Sequence, residues 1–474
     1  MIFDLWFELV RNAPAKKESL VIRPSHVVFY SLLILFTLFS FTRTGLSAAE
    51  TGELKVGWSM TDITPPEKVA LVGQLHKRLS EGVLDPLRAT VLALETVNDK
   101  GVSEQVVFVS CDLIGIRKQT QDEVQAAINE RLKDLDGKNV FLNATHTHTA
   151  PQQVDSAFRD LYDVSQDEGV WKASQYREFL VEKIVTAVEE AWNKRAPGGF
   201  SWGLGHASVG HNRRATYFDG HAKMYGLTNI PEFYRIEGYT DHAVQMLFFW
   251  NEQQEVTGII VNIACPSQET EGLRVLSADF WHDVREEVWK RHSKEVFILP
   301  QCAAAGDISP HHIYRKQPEE IMLKRKGISS RQQIATRIVD AIDETMPYVK
   351  DSIQTDVALV HKVTNFTLPK AEVEPPFYLT DDPNEVDIHL IRIGDVALVN
   401  NPFELYLDYG VRIQARSPAV MTMTIQLSSG LCGYLPTRPA VSGGGYSAEK
   451  FVIGPDGGDA LVEQSVEGIQ GLFP

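Results

Sequence analysis

Apolar runs of strand length alternate with helical patterns along most of this chain. The apolar runs predict strands at residues 89–97, 104–113, 139–145, 243–250, 256–265, 295–302, 387–393 and 395–400. Apolar residues at helical spacing predict helices at residues 119–135, 175–194, 279–292, 330–346, 404–415 and 459–470. Near-continuous apolar strands between helices are typical of a sheet covered on both faces. We therefore expect an α/β (mixed α+β) fold, with helices covering a central sheet, as one large domain over residues 50–474.

The first 49 residues predict a targeting segment. Basic residues precede an apolar run at 27–41, and the small residues Ser47, Ala48 and Ala49 follow it. The run is shorter than the roughly 20 residues that span a bilayer, and it suits the apolar core of a signal peptide. We expect export with cleavage after Ala49. A retained N-terminal anchor and a buried helix are the alternatives, so the chain is expected to be periplasmic, extracellular or membrane-anchored.

Composition and charge exclude several classes of protein. The 474 residues include 46 basic and 62 acidic side chains, which give a net charge of −16 at pH 7. Such a chain lacks the basic face that neutralises phosphates, so we expect no nucleic-acid partner. An apolar content of 43% excludes a mostly disordered chain. The four cysteines are too few for a disulfide scaffold, and their apolar surroundings predict buried thiols.

Side chains that can take part in catalysis or metal binding gather where the predicted strands end. In α/β sheets, ligands bind beyond the carboxyl ends of the strands. The residues found there include Asp112, His146, His148, Cys265, Asp307, Ser309, Glu404 and Tyr434. This collection of His, Asp, Ser, Glu and Tyr predicts a hydrolytic metal site.

The sharpest local motif is His146-Thr147-His148. In extended backbone, residues two apart point the same way, so both imidazoles could face one pocket and bind zinc. Two solvent-exposed or hydrogen-bonded histidines are the alternative. Glu404 could add a hard oxygen ligand, or it could simply complement a helix dipole.

Two further motifs are ambiguous when taken alone. Asp307 and Ser309 lie in a Gly-Asp-Ile-Ser-Pro segment that also has the composition of a plain turn. Arg213 belongs either to a surface pair or to the rim of the pocket.

Together, these motifs resemble the neutral/alkaline non-lysosomal ceramidase family. The resemblance rests on THTHTAP at 145–151, NRR at 212–214, GDISP at 306–310, PFE at 402–404 and the tyrosines at 434 and 446. It extends over roughly residues 53–470. It implies a zinc-dependent amidase that cleaves the N-acyl bond of ceramide, and a chain that contains the family's catalytic domain without its C-terminal immunoglobulin-like domain.

The resemblance also implies a role for each matching residue. His146, Glu404 and Tyr434 would bind Zn²⁺. His148 and Tyr446 would stabilise the oxyanion formed when water attacks the acyl carbonyl. The remaining positions would orient the substrate (Ser309 and Arg213) or a neighbouring group (Asp307).

One position departs from the family. Cys265-Pro266 stands where the family has a zinc-binding histidine followed by proline. Cys265 could ligate as a thiolate, His211 could supply the missing imidazole, or the site could be degenerate.

These observations predict an exported zinc amidase that acts on a small-molecule or lipid N-acyl substrate, with membrane-surface contact in the lipid case. Two other functions stay open: a zinc hydrolase of a non-lipid ester or amide conjugate, and a catalytically degenerate binding protein. An apolar cleft would favour the lipid enzyme, whereas metal content separates both enzymes from the binding protein.

We expect the mature chain to begin near Glu50, because small residues end the apolar segment at this point. Sequencing the N-terminus of protein purified from its native source tests this. An intact Met1 on a soluble intracellular protein would contradict it.

Overall fold

Two β-sheets packed face to face form the centre of the fold. The computed structural model describes residues 50–98, 100–101, 103–155, 159–373 and 383–473. The strands are β1 Gly52–Asp62, β2 Lys68–Leu71, β3 Arg78–Leu79, β4 Arg88–Val97, β5 Ser103–Cys111, β6 Val140–Ala144, β7 Val170–Trp171, β8 Ala196–His206, β9 His211–Asn212, β10 Arg214–Tyr217, β11 Ala222–Met224, β12 Phe233–Ile236, β13 Ala243–Asn251, β14 Val256–Ile263, β15 Phe297–Cys302, β16 Ile308–Ser309, β17 Asp356–Val357, β18 Leu359–Thr367, β19 Glu385–Ile393, β20 Val396–Asn400, β21 Glu404–Leu405, β22 Met421–Ile425 and β23 Tyr434–Leu435.

Helices cover the outer faces of both sheets. The α-helices are α1 Lys118–Arg131, α2 Ala173–Asn193, α3 Phe280–Arg291, α4 Lys316–Lys326, α5 Ser330–Val349, α6 Leu407–Arg416, α7 Arg438–Gly443, α8 Tyr446–Glu449 and α9 Pro455–Gln470. Short 3₁₀ helices lie at Gly137–Asn139, Arg159–Tyr162 and Lys350–Ser352.

The larger sheet has nine strands in the order β15-β14-β13-β8-β1-β4-β5-β6, with β17 beside β1. Its neighbours are antiparallel except at two places, where β5 runs parallel to β6 and β14 runs parallel to β15. The smaller sheet has the order β18-β19-β20-β22, and its last pair is parallel. Parallel pairs in both sheets bring several strand carboxyl ends to the region of the candidate site.

Alternation along the strands divides the apolar residues between two interfaces. In β5, Val107 and Val109 pack against α1 and α2, whereas Val106 and Phe108 belong to the core that also includes residues of the smaller sheet. Helices α3 and α5 pack on the β13–β15 end of the larger sheet, and α6 and α9 pack on the smaller sheet. The result is four layers, with helices outside and two sheets inside.

The predicted fold class is confirmed. All eight predicted strands and all six predicted helices correspond to observed elements, with ends shifted by a few residues. The prediction of helices on both faces of one sheet was incomplete, because the smaller sheet covers one of those faces. Sequence periodicity marks a buried face without identifying the layer that buries it.

One predicted helix boundary was wrong at a site residue. The helix predicted from residue 404 begins at Leu407, and Glu404 lies in the short strand β21. The Asp307 carboxylate accepts a hydrogen bond of 2.9 Å from the Leu407 amide, which satisfies a donor at the helix start. Glu404 pairs with Tyr434 of β23 in parallel register.

Residues 1–49 and part of the long loop expected near residues 370–385 lie outside the described residues. From residue 50 onward, the described chain forms one compact unit. None of the described helices is long and apolar enough to cross a membrane. All four cysteines are buried, and no disulfide joins any two of them.

A buried ion pair fixes the carboxyl end of β5. Both guanidinium amino groups of Arg285 on α3 donate to the Asp112 carboxylate, at 2.8 and 3.1 Å. The Arg88 amide donates to the same carboxylate at 2.9 Å. Asp112 is therefore a structural residue that ties α3 to the larger sheet.

Replacing Arg285 by Leu should lower the free energy of unfolding by about 3–5 kcal/mol, because it leaves the Asp112 carboxylate buried without its counter-charge. Urea unfolding measures this loss. The matched control is Arg416→Leu, which breaks an exposed pair with Glu463 and should cost far less. Equal losses for the two variants would contradict the assignment.

Candidate metal and catalytic site

The candidate site lies where loops after β5, β6, β14, β15 and β20 meet. Main-chain hydrogen bonds hold these loops together: the Ser267 amide donates to Thr145 at 3.3 Å, and the Gly306 amide donates to Leu405 at 2.7 Å. These bonds join segments that are far apart in sequence, so the site is a product of the tertiary fold.

His146 presents one ring nitrogen to the pocket. Its Nδ1 lies 2.6 Å from the Ile114 carbonyl oxygen, which can only accept a hydrogen bond. Nδ1 therefore carries a proton, and in the neutral ring Nε2 keeps its lone pair. Nε2 lies 3.5 Å from Glu404 Oε2 and 3.3 Å from His148 Nε2. This tautomer is the one required of a metal ligand that binds through Nε2.

The two histidine rings meet, but not because the backbone is extended. His146 has a φ of 65°, in the left-handed region that few non-glycine residues adopt. The rings of His146 and His148 lie 4.9 Å apart between centroids and nearly perpendicular, at 84°. The expectation of extended alternation was therefore wrong at His146, although both rings do line one pocket.

Glu404 and Tyr434 are brought side by side by the β21–β23 pairing. The Glu404 amide donates to the Gly433 carbonyl at 2.9 Å, which fixes this pairing at its start. The Tyr434 and Tyr446 rings lie 5.7 Å apart in an edge-to-face arrangement. Burial raises the pKa of Tyr446 to about 12, with a further contribution from Glu404, so its hydroxyl stays protonated at neutral pH.

Arg213 is buried beside the tyrosines. Its Nη2 donates to the Gly306 carbonyl at 2.9 Å and to the Tyr434 hydroxyl at 3.3 Å. Its Nη1 lies 3.5 Å from both the Tyr225 hydroxyl and Gln268 Oε1. The structure therefore places Arg213 in contact with the pocket residue Tyr434 and not in a surface pair.

Asp307 and Ser309 do not line the pocket, and each hydrogen-bonds to neighbouring residues. Asp307 accepts hydrogen bonds from the Leu407 amide and from Asn212 Nδ2, the latter at 2.8 Å. Burial raises its pKa to about 6. The Ser309 hydroxyl accepts a bond of 2.9 Å from Tyr225, which also lies next to Arg213. Neither side chain has a recorded contact with His146 or Glu404 in the described chain.

Cys265 and His211, the two candidates for a further zinc ligand, contact groups other than His146 and Glu404. The Cys265 thiol is fully buried and donates to the Val209 and Pro266 carbonyls at 3.6 and 3.5 Å. Burial raises its pKa well above the usual value, which opposes the thiolate form. The His211 ring stacks on His312, with centroids 3.9 Å apart. These contacts do not support either residue as a ligand.

Several residues that contact His148 were not predicted from the sequence. Gln268 Nε2 lies 2.9 Å from His148 Nε2, and Glu271 Oε2 lies 3.5 Å from His148 Nδ1. Both follow Cys265-Pro266 within six residues, in a polar run that continues directly from a buried strand. That run was the available signal. Gly73 packs on the His148 ring, and no sequence pattern marked it.

The pocket itself is small. Its cavity volume is ≈ 60 Å³, enough for an ion and a few waters but not for a whole lipid. Its lining residues are Gly73, Gln74, Leu75, Ile114, His146, His148, Glu404, Leu431, Gly433, Tyr434 and Tyr446.

The ligand atoms available in the pocket indicate what a metal site there would need. The lone pair of His146 Nε2 and the Glu404 carboxylate face each other across 3.5 Å with little exposure to solvent. Buried acceptors that face each other are costly unless a cation or donor lies between them. Within the described residues, no group of three or more His, Cys, Asp and Glu side chains is arranged to hold a metal. A metal at His146 and Glu404 would thus need a ligand of another type, and Tyr434 lies beside Glu404.

Comparison with known proteins agrees with the sequence motifs. Residues 54–261 match the family model described as neutral/alkaline non-lysosomal ceramidase, N-terminal. This match confirms the family resemblance over that segment. No curated protein matches the chain in sequence.

Two solved structures share the fold. The neutral ceramidase from Pseudomonas aeruginosa aligns with a TM-score of 0.71 at 18% identity, over 89% of this chain and 75% of that one. A ceramidase complexed with C2 aligns with a TM-score of 0.67 at 17% identity, over the same shares of 89% and 75%. At these identities the alignments establish the fold alone.

Gly73 offers a test of the pocket geometry. Its φ is +113°, and a Cβ there would lie 2.6 Å from the His148 ring. Gly169 has a φ of +71° with nothing within 4 Å, so Gly169→Ala is the matched control. We expect about 1–2 kcal/mol of destabilisation from backbone strain in the control, and about 1–3 kcal/mol more in Gly73→Ala from overpacking. Urea unfolding of both variants measures the difference, and equal losses would contradict the packing against His148.

Proposed function

We propose that this chain, whose residues 54–261 match the neutral/alkaline ceramidase model, is a metal-dependent amidase that hydrolyses the N-acyl bond of a ceramide-like lipid. The observation that carries the proposal is that His146 Nε2 faces the Glu404 carboxylate at 3.5 Å, in a pocket that also contains Tyr434. A nitrogen, a carboxylate and a phenol form a donor set suited to a catalytic zinc site that keeps an open position.

In this proposal, His146, Glu404 and Tyr434 hold a zinc ion. When bound, zinc supplies Lewis-acid activation of water and of the acyl oxygen. The chain's own contribution to binding is the hydrogen bond from His146 Nδ1 to Ile114, which orients the ring and increases its basicity.

The overall reaction adds water across an amide. A water oxygen bonds to the acyl carbon, the carbon–nitrogen bond breaks, and the leaving amine takes up a proton. Negative charge develops on the acyl oxygen in the transition state. We assign the stabilisation of that charge to the Tyr446 hydroxyl, which lines the pocket, and to the Arg213 guanidinium, which donates to the pocket residue Tyr434.

Apolar residues at the pocket favour a lipid substrate. Ile114 and Leu431 line the cavity, and Leu75 lines it while remaining 56% exposed. The cavity admits the reacting amide group, so the alkyl chains of a ceramide would lie outside it, along residues such as Leu75. An exported enzyme whose substrate resides in a membrane would also contact the membrane surface.

The ceramidase complexed with C2 supports an N-acyl lipid for that protein. We extend the same substrate class to this chain because of the shared fold and the family match. Hydrolysis of a non-lipid N-acyl conjugate is the second candidate, favoured by the mixed polar lining of His148, Gln74 and Glu404.

Metal content and activity test the proposal together. The purified protein should contain zinc and hydrolyse an N-acylsphingosine in preference to a water-soluble N-acyl amino acid. His146→Ala and Glu404→Gln should lose the metal. Their activity should fall by more than the factor of about 10–100 that is typical when a residue hydrogen-bonded to a metal ligand is changed. Elemental analysis and product release measure both effects.

The controls separate the ligand hypotheses. Cys265→Ser and His211→Ala should retain the metal, as should His221→Ala at an exposed histidine. Loss of metal in Cys265→Ser would restore Cys265 as a ligand. Wild-type protein that purifies without metal and cannot be reconstituted would favour a degenerate binding protein.

A further inference from the structure

We propose that a second cavity, separate from the metal pocket, binds a small neutral polyhydroxylated molecule of monosaccharide size, with His389 Nε2 accepting a hydrogen bond from one of its hydroxyls. This inference does not rest on the proposed amide hydrolysis. The cavity lies between strands β18 and β19 of the smaller sheet and helix α1. Its volume is ≈ 340 Å³, within the range of about 300–1,000 Å³ that is usual for small-molecule sites.

Alternation along two strands forms one wall of the cavity. Val363 and Asn365 lie two apart on β18, so their side chains share a face. Asp387 and His389 share a face of β19 for the same reason. The antiparallel register places Val363 opposite His389. One pair further along, Asn365 Nδ2 donates to Asp387 Oδ1 at 3.2 Å. This wall therefore carries a buried imidazole at one end and exposed polar groups at the other.

Helix α1 forms the opposite wall. Lys118, Asp122 and Gln125 line the cavity from successive turns of the helix. Both ends of the Gln121 amide bond to main-chain groups of the edge strand β6, at 2.8 and 3.0 Å. Gln121 therefore ties this wall to the larger sheet, so the cavity lies where the two sheets meet at one edge.

The cavity and the metal pocket are distinct, and they have no lining residue in common. One segment separates them. Gly430 and Cys432 line the cavity. Leu431 and Gly433, which alternate with them along the chain, line the metal pocket. A molecule in the cavity would therefore occupy a site of its own.

Two linked imidazoles determine what His389 presents to the cavity. His361 Nδ1 lies 3.1 Å from the Gln105 carbonyl oxygen, which can only accept, so this nitrogen carries a proton. Desolvation of the ring lowers the pKa of His361 to about 4, so the ring is neutral at pH 7 and its Nε2 is an acceptor. That nitrogen lies 2.9 Å from His389 Nδ1, which therefore donates to it.

His389 Nε2 is left with a lone pair. Burial and the neighbouring ring of His361 hold the pKa of His389 well below its usual value, so this ring is neutral as well. His389 is only 2% exposed, and its ring centroid lies 4.6 Å from that of Phe141. Within the described residues Nε2 has no hydrogen-bond partner, yet it is not sealed from solvent. The cavity that His389 lines gives access to this acceptor.

The charges around the cavity favour a neutral ligand. Charges of both signs oppose an anion and a cation alike, and removing an ion from water beside His389 is costly. A hydroxyl is a neutral donor that His389 Nε2 can accept from. The surrounding carboxylates and lysines offer acceptors and donors for further hydroxyls. These charged residues are Lys118, Asp122, Lys138, Glu385 and Asp387.

Apolar side chains complete the match to a sugar ring. Val363, Val386 and Pro402 line the cavity among the polar groups. Sites for small molecules combine apolar walls with a few polar groups that fix the orientation of the ligand. A monosaccharide has both parts, since its ring has C–H faces and carries hydroxyls at its edge.

Nitrogen NMR of histidine-labelled protein tests the acceptor. The His389 signals are identified by their loss in His389→Phe, or by through-bond assignment where that variant does not fold. We expect an unprotonated His389 Nε2 at pH 7, with a signal that shifts when a neutral hexose (glucose, galactose or mannose) is added. A protonated Nε2 in the free protein would overturn the proposal. Binding of none of the three hexoses at millimolar concentration would overturn it as well.

Blocking the cavity tests its location, with calorimetry as the measure of affinity. Val363→Trp replaces a partly exposed valine of the cavity by an indole and should abolish hexose binding. The matched control Val420→Trp changes an exposed valine outside the cavity and should bind as the wild type does. His389→Phe keeps an aromatic ring beside Phe141 and should weaken binding by a factor of about 10 or more, because a ligand hydroxyl loses its acceptor. Equal binding in Val363→Trp and the wild type would overturn the site.

Charged analogues test the chemical class of the ligand. Protonated glucosamine and glucose 6-phosphate should bind more weakly than the neutral hexose that binds best. Tighter binding of either one would overturn the assignment of a neutral ligand. None of these measurements uses the amidase reaction, so their outcome is independent of the outcome for the proposed function.

Discussion

The hydrogen bond from His146 Nδ1 to the Ile114 carbonyl determines which nitrogen of the His146 ring faces the pocket. It joins the loop after β6 to the loop after β5, and it leaves His146 Nε2 with a lone pair beside the Glu404 carboxylate. Without it, the ring could carry its proton on the pocket side and donate to Glu404, which would satisfy both groups internally. In the neutral ring, the Nε2 lone pair instead faces the Glu404 carboxylate, an arrangement that a cation or a donor between the two atoms would stabilise.

Much of the fold followed from the sequence because buried strands and amphipathic helices impose their own periodicity. Segments that follow predicted strands do meet, since the Ser267 amide donates to the Thr145 carbonyl and the Gly306 amide donates to the Leu405 carbonyl. The second sheet was not identifiable from periodicity. An apolar face of β5 has the same pattern whether a helix or a sheet covers it.

The details that were missed depend on contacts between distant residues. His146, with its left-handed backbone, lies between two amides that donate to the loop after β5, and Glu404 pairs with Tyr434 through β21. Glu404 follows a strand and precedes a helix, so local patterning could not separate a helix start from a short parallel bridge with Tyr434. Cys265 stays one of three alternatives that the sequence leaves open for the zinc shell, and its thiol hydrogen-bonds to the Val209 carbonyl.

Two buried arginines lie behind the pocket lining, which itself includes the Glu404 carboxylate. Arg213 and Arg78 are both buried, yet the hydrogen bonds recorded for them in the described chain go to carbonyl, hydroxyl and amide oxygens and not to carboxylates. In a chain with a net charge of −16, acidic partners are abundant, and Arg285 shows that this fold can neutralise a buried arginine with one. Neutral partners hold a guanidinium in place without cancelling its charge. In the proposed amidase, the positive charge of Arg213 would therefore be available, next to the Tyr434 hydroxyl, for the oxyanion that forms when a substrate carbonyl is attacked.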